Sequence, residues 1–127
     1  MKSNATIKKS SFTLLEILIV TTIIAILISG AIVSYSQFSK QARDSRRKTD
    51  LENIRASLEM YRSNVNIYPL SLNSLVPDYI ISIPKDPKTA VSYAGGYTQL
   101  LSGNSYSLSW ALEGGGTYTV GPYGSSP

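Results

Sequence analysis

From Phe12 to Val33 the chain carries a charge at only one position, Glu16, and the rest is apolar with a few hydroxyl and glycine residues. A run of this length predicts a membrane-spanning helix, because about 20 residues rising about 1.5 Å each cross a hydrocarbon core of about 30 Å. Beyond Ser34 the pattern changes period without a break. Tyr35, Phe38 and Ala42, and then Leu51, Ile54, Leu58, Tyr61 and Val65, recur at intervals of three and four, the stripe of a helix packed on one side. No proline precedes Pro69, so a single helix from Phe12 to about Asn64 could run about 80 Å. Gly30 with Thr21, Thr22 and Ser29 marks soft spots in it, or small-residue contacts between packed helices. Its end is expected at Asn64-Val65-Asn66, with Pro69 as the stop.

Residues 67–90 then hold four of the six prolines and predict a loop, with one short helical turn over Leu72-Asn73-Ser74-Leu75-Val76 capped by Ser71. The period next switches to two. Tyr106, Leu108, Trp110 and Leu112 alternate onto one face, and Gly114-Gly115-Gly116 turns the chain into Thr117-Tyr118-Thr119-Val120. A preceding strand is expected at residues 92–99, bent at Gly95-Gly96, with a turn at Ser102-Gly103-Asn104. The predicted fold is α+β: a long N-terminal helix packed on a small antiparallel meander at 91–122, followed by an unstructured tail at 123–127. Leu58 and Tyr61 on the helix, and Trp110 on the sheet, are the expected anchors of that core.

The leader before the apolar run narrows the possibilities. An ordinary secretory signal places its small-residue cleavage site after the apolar core, whereas here Ser10 and Ser11 lie before it, behind Lys8 and Lys9. Cutting there would keep the hydrophobic helix in the mature chain. Basic residues flank both ends of the run, Lys2, Lys8 and Lys9 before it and Lys40, Arg43, Arg46, Arg47 and Lys48 after it, so residue counting leaves its orientation open. An ionisable residue within a span points to function, because it costs on the order of 2.5–3.5 kcal/mol at mid-membrane. Glu16 sits near the end, where the cost is lower.

Phe12-Thr13-Leu14-Leu15-Glu16 behind that leader resembles the N-terminal signature of type IV pilins and pseudopilins. The resemblance implies that residues 1–11 are a prepilin leader, that a prepilin peptidase cuts between Ser11 and Phe12, and that the new Phe12 amine is N-methylated. It implies that Glu16 pairs with that amine on a neighbouring subunit during assembly, so that two buried charges offset each other's desolvation. Family members usually carry Gly before the cut, and Ser11 departs from this toward slower cleavage. The resemblance also fixes the orientation: leader in the cytoplasm, single span at 12–33, and an extracytoplasmic domain from residue 34 that joins a periplasmic or cell-surface filament. A second stretch, Ile67-Tyr68-Pro69 through Ile83-Pro84-Lys85-Asp86-Pro87, resembles the loop of major pseudopilins of type II secretion. Major pseudopilins often hold calcium in a C-terminal loop. Here the region after Gly96 has one acid, Glu113, so no tight calcium site is expected.

Composition changes the picture little. The formal charge of +4 belongs mostly to the leader: residues 1–11 take away three of twelve cations and no acid, leaving nine against eight. The basic balance therefore predicts no nucleic-acid affinity for the mature chain. With no Cys and no His, disulfides, thiol chemistry and the commonest metal ligand and general base are absent, and no catalytic set or cofactor is predicted. The cluster Arg43, Arg46, Arg47 and Lys48 reads as a solvated helix face with pairs such as Asp44–Lys48 and Arg55–Glu59, in preference to a contact with anionic headgroups or a neighbouring subunit. The nine tyrosines follow strand propensity; stacking on single-stranded DNA is a weaker reading. The expectation is a structural filament subunit, pilus or pseudopilus, with copies of itself, minor subunits, the prepilin peptidase, an assembly platform and the membrane as partners. The alternative is a membrane-anchored binding domain that never polymerises.

Overall fold

A computed structural model of the chain describes residues 12–127, with the backbone alone at residues 31–33. The leader residues Lys8, Lys9 and Ser11 lie outside the described residues. The long helix α1 runs from Leu14 to Val65. Thr13 starts it: the backbone N–H of Glu16 donates to Thr13 Oγ1 at 3.2 Å, satisfying one of the donors that every helix leaves free in its first turn. Asn66 ends it in the left-handed region at φ 66°, which asparagine tolerates better than most residues. The chain divides into two units between Gln37 and Phe38.

In the first unit α1 has no core to cover. Leu14, Leu18, Ile26 and Leu27 are all exposed, and no residue of its most apolar window is buried. The hydroxyls of Thr21, Thr22 and Ser29 bond back to carbonyls one turn earlier, at 2.7–3.0 Å. That spares the apolar surface three unsatisfied polar groups, and α1 continues through Gly30 without a break.

The second unit, Phe38–Pro127, is built on the remainder of α1. Leu51, Ile54 and Leu58 are fully buried and join Tyr68, Leu72, Leu75, Tyr93, Tyr106, Leu108 and Val120 in one cluster, with Tyr61 and Trp110 half-buried against it. The stripe is narrower than its spacing suggests: Tyr35 and Phe38 are 76% and 67% exposed, and Val65 is exposed as well. Burial begins where the sheet and loop begin to cover the helix.

Four strands form one antiparallel meander in chain order: β1 (Tyr97–Leu100), β2 (Ser105–Ala111), β3 (Thr117–Gly121) and β4 (Gly124–Ser126). Leu108 lies opposite both Tyr97 and Val120. Two local expectations are corrected. Residues 93–96 form a 3-10 turn before β1, because the Ser92 side chain caps the N–H of Ala94 and the chain must pass close to β2. A Cβ on Gly96 would collide with the carbonyl of Ser109 there. The expected loose tail instead supplies β4, whose Gly124 pairs with Gly121 across Pro122 and Tyr123. The turn at Leu72–Leu75 forms as expected, with the Ser71 side chain accepting from the N–H of Asn73. Gly103, at φ 92°, presents its carbonyl to the N–H of Tyr68 at 2.8 Å and ties the β1–β2 connection to the start of the proline-rich loop.

Candidate functional sites: the helix start and a buried ionic cluster

At the start of α1, Phe12 is exposed, Thr13 caps the helix and Glu16 occupies the third helical position. Thr13 and Glu16 thus have the Thr-x-x-Glu spacing of a capping box, a local signal the sequence reading did not use. A carboxylate in the first turn also faces the positive end of the helix dipole. Among the described residues, no side chain pairs with the Glu16 carboxylate. Around it Leu14, Leu15, Ile17 and Leu18 are exposed, so the charge sits on an apolar surface that no other described residue covers.

The second constellation lies where α1, the proline-rich loop and the β2–β3 turn meet. Arg47 is 4% exposed and Asp86 1%. The Arg47 guanidinium donates through Nε to Asp86 Oδ2, through Nη1 to Asp44 Oδ1 at 2.6 Å, and reaches Glu113 Oε1 at 3.1 Å through Nη2. Arg43 grips both oxygens of Glu113, at 2.6 and 2.8 Å, and Lys88 adds a third contact at 3.1 Å. Asp44 in turn accepts the backbone N–H groups of Glu113 and Gly114, at 2.9 and 2.8 Å. Asp86 accepts the N–H groups of Lys88 and Thr89 at Oδ1 and the Trp110 indole N–H at Oδ2.

Every charge in this cluster is paired and hydrogen-bonded, the condition under which buried ions are tolerated. The Arg43 bidentate contact, assisted by Lys88, holds the Glu113 carboxyl down at about 2 against the desolvation it suffers. Arg47 holds the Asp86 carboxyl well below the usual range, and burial, which opposes this, is outweighed. Burial raises Asp44, but the turn N–H groups and Arg47 more than offset it, and its pKa is lowered.

This corrects the reading of the basic cluster as a solvated face. Arg43 and Arg47 turn inward, Arg46 faces solvent, and Lys48 lies 5.3 Å from the centre of the Tyr118 ring. The helix pairs that form are Arg47–Asp44 and Arg55–Glu52, at three residues' spacing rather than the expected four. Trp110 packs edge-on against Tyr93 at 4.9 Å and sits half-buried above the same cluster. Leu58 is fully buried, and Tyr61 packs against Tyr79 at 5.4 Å. A calcium ion does not fit this donor set. The carboxylates of Asp44, Asp86 and Glu113 already accept from guanidinium, ammonium, indole or backbone N–H donors, and calcium takes six to eight oxygen ligands.

Comparison with known proteins bears on the helix start and on the chain as a whole. A family model described as the prokaryotic N-terminal methylation motif matches residues 7–32. The type II secretion system core protein G of Vibrio cholerae is 28% identical over 103 residues, 78% of this chain and 69% of that protein. The protein of the same name from Aeromonas hydrophila is 29% identical over 106 residues, 80% of this chain and 73% of that protein. No solved structure matches the chain.

Proposed function

We propose that this chain is a member of the family of type IV pilins and type II secretion pseudopilins, structural filament subunits, and within it a pseudopilin of a type II secretion system. The observation that carries the reading is the exposed apolar surface of α1 behind the Phe12-to-Glu16 motif. That surface is stable only in lipid or against other helices. The two relatives named as core protein G, aligned over more than three quarters of the chain, favour pseudopilus over pilus.

The peptidase cuts between Ser11 and Phe12, the Phe12 amine is methylated, and the leader stays in the cytoplasm while residues 38–127 lie outside. Thr13 and the helix dipole hold Glu16 at a fixed position one turn from the chain start. Its carboxylate then has no partner until an incoming copy brings its Phe12 amine. Assembly thereby pairs two charges that are each costly alone in an apolar surrounding. Minor subunits and an inner-membrane assembly platform complete the set of partners.

Glu16→Leu tests the pairing. Membrane insertion is expected to persist, because a costly charge has been removed, while the ladder of cross-linked oligomers in cells collapses to monomer. Equal ladders from variant and wild type would refute the pairing. Deleting the gene separates pseudopilus from pilus: the secreted proteome should shrink while surface fimbriae and DNA uptake persist, and the opposite outcome would assign the protein to a pilus.

A further inference from the structure

Charge is segregated in the outer unit in a way the buried cluster explains. The end at which α1 enters that unit carries Lys40, Arg43, Arg46, Arg47, Lys48, Lys85 and Lys88 against Asp44, Asp50, Asp86 and Glu113, seven cations to four carboxylates. The acids there turn inward. Asp44 and Asp86 are buried, the Glu113 side chain is 11% exposed, and these three are bound to Arg43 and Arg47. Asp50 is half-buried. The cations without a buried role face solvent: Lys40, Arg46 and Lys85 are exposed, and Lys88 is 59% exposed even while touching Glu113. One end of the domain therefore shows solvent a belt of positive charge drawn from both α1 and the proline-rich loop.

Chain length places this belt close to a membrane surface. Lys40 follows Val33, the last residue of the uncharged run, by seven residues. That is about 10 Å as helix and no more than about 25 Å fully extended, whatever the arrangement of the two units. Headgroups reach several ångströms beyond the hydrocarbon, and their field extends about 8 Å further at physiological salt.

We propose that this belt docks the outer domain on anionic phospholipid headgroups, making the membrane surface a second binding partner of the subunit beyond its span. The inference builds on the membrane-anchored reading above. A second copy of the chain is a poor match for the belt. Of the outer unit's own carboxylates Asp78 alone is exposed, the others being buried or half-buried. A bilayer rich in acidic lipid supplies a continuous negative surface, and each nearby Lys or Arg strengthens attachment to it about fivefold.

The test uses the full chain in nanodiscs, with Trp110, the protein's only tryptophan, as energy donor to dansyl-labelled headgroups. Trp110 is bonded to Asp86, next to the belt, and reports its approach to the bilayer. Transfer should be higher in phosphatidylglycerol discs than in phosphatidylcholine discs, and molar salt should abolish the difference, because it cuts the screening length to about 3 Å. The triple variant Lys40→Gln, Arg46→Gln, Lys85→Gln should lower the docked-to-undocked ratio about a hundredfold while moving the melting temperature little, since all three residues are exposed and only Arg46 faces a half-buried acid, Asp50. Equal transfer in the two lipids, or a lipid effect that survives in the triple variant, would overturn the proposal. A lipid-independent cross-link between copies that the triple variant abolishes would assign the belt to a second copy and overturn it too. Failure of the chain to enter discs at all would refute the anchor itself, and is distinguishable because it precedes any transfer measurement.

Discussion

Replacing Asp86 by Ala should cost the outer domain about 4 kcal/mol. The substitution strands Arg47, 4% exposed, beside a hole where its closest partner stood. Breaking one side of a buried ion pair costs about 3–5 kcal/mol, and the low end applies because Asp44 and Glu113 remain on the same guanidinium. Trp110 and the N–H groups of Lys88 and Thr89 lose their acceptor as well, at about 0.5–1.5 kcal/mol for a typical hydrogen bond, partly recovered where water enters. A domain of this size has a total stability of about 5–15 kcal/mol, and each kcal/mol moves its midpoint by about 4–8 °C. The expected loss is therefore a fall of roughly 16–32 °C, read as thermal unfolding of the full chain in detergent by Trp110 fluorescence and by protease susceptibility. Two companions sharpen the result. Asp86→Asn keeps an acceptor for the loop and should fall between the two. The double variant Arg47→Met, Asp86→Leu should be more stable than Asp86→Ala, because no guanidinium is left stranded and Asp44, which loses Arg47, keeps the N–H groups of Glu113 and Gly114. A drop of less than about 4 °C for Asp86→Ala, or a double variant as damaged as the sum of its parts, would refute the claim that this pair fastens loop to helix.

Other outcomes follow from the same geometry. Trp110→Ala should cost about 3 kcal/mol, the low end for a large aromatic because the ring is only half-buried, and water-like emission from the folded wild type would refute that placement. Acid should weaken the domain over a defined window. Glu113 has its pKa lowered from 4.5 to about 2, and Asp86 and Asp44 are lowered from 3.8, so their contribution is complete above about pH 5 and is lost as pH falls toward 2. A melting temperature that is flat from pH 6 to about pH 3 would contradict this. The mature chain should begin at Phe12, and Ser11→Gly should speed its appearance in pulse-chase mass analysis; unchanged kinetics would show that Ser11 imposes no delay.

The helix and the meander were legible because each has a period that its own neighbours enforce. Leu51, Ile54 and Leu58 announce a buried helix face, and Tyr106 and Leu108 a buried strand face, from spacing alone. The stripe could not say where burial starts, and Phe38 reads like Leu51 until the sheet is in place. Strand β4 was missed because glycine and serine carry no strand propensity; backbone pairing to β3 forms it. The ionic cluster was illegible for a different reason. Arg47 meets Asp86 across 39 residues, and Asp44 meets Gly114 across 70, so no local pattern distinguishes these charges from Arg46 beside them. At the helix start the motif was read correctly for its resemblance, while its Thr13–Glu16 capping geometry was within reach of the sequence and overlooked.

The long separations within the core also set an order of events during synthesis. The apolar part of α1 is complete once residue 33 has been made, and nothing later in the chain is needed to cover it, so it can enter the membrane at once. Leu51 and Ile54, by contrast, share their core with Leu108 and Val120, and the ribosome reaches Val120 about 3–14 s after Leu51. For that interval the stripe of residues 51–58 stays uncovered, and in a chain anchored by its apolar run it would wait beside the bilayer. Anchoring thus precedes folding by construction, and a chaperone acting on this protein has its natural moment in that gap.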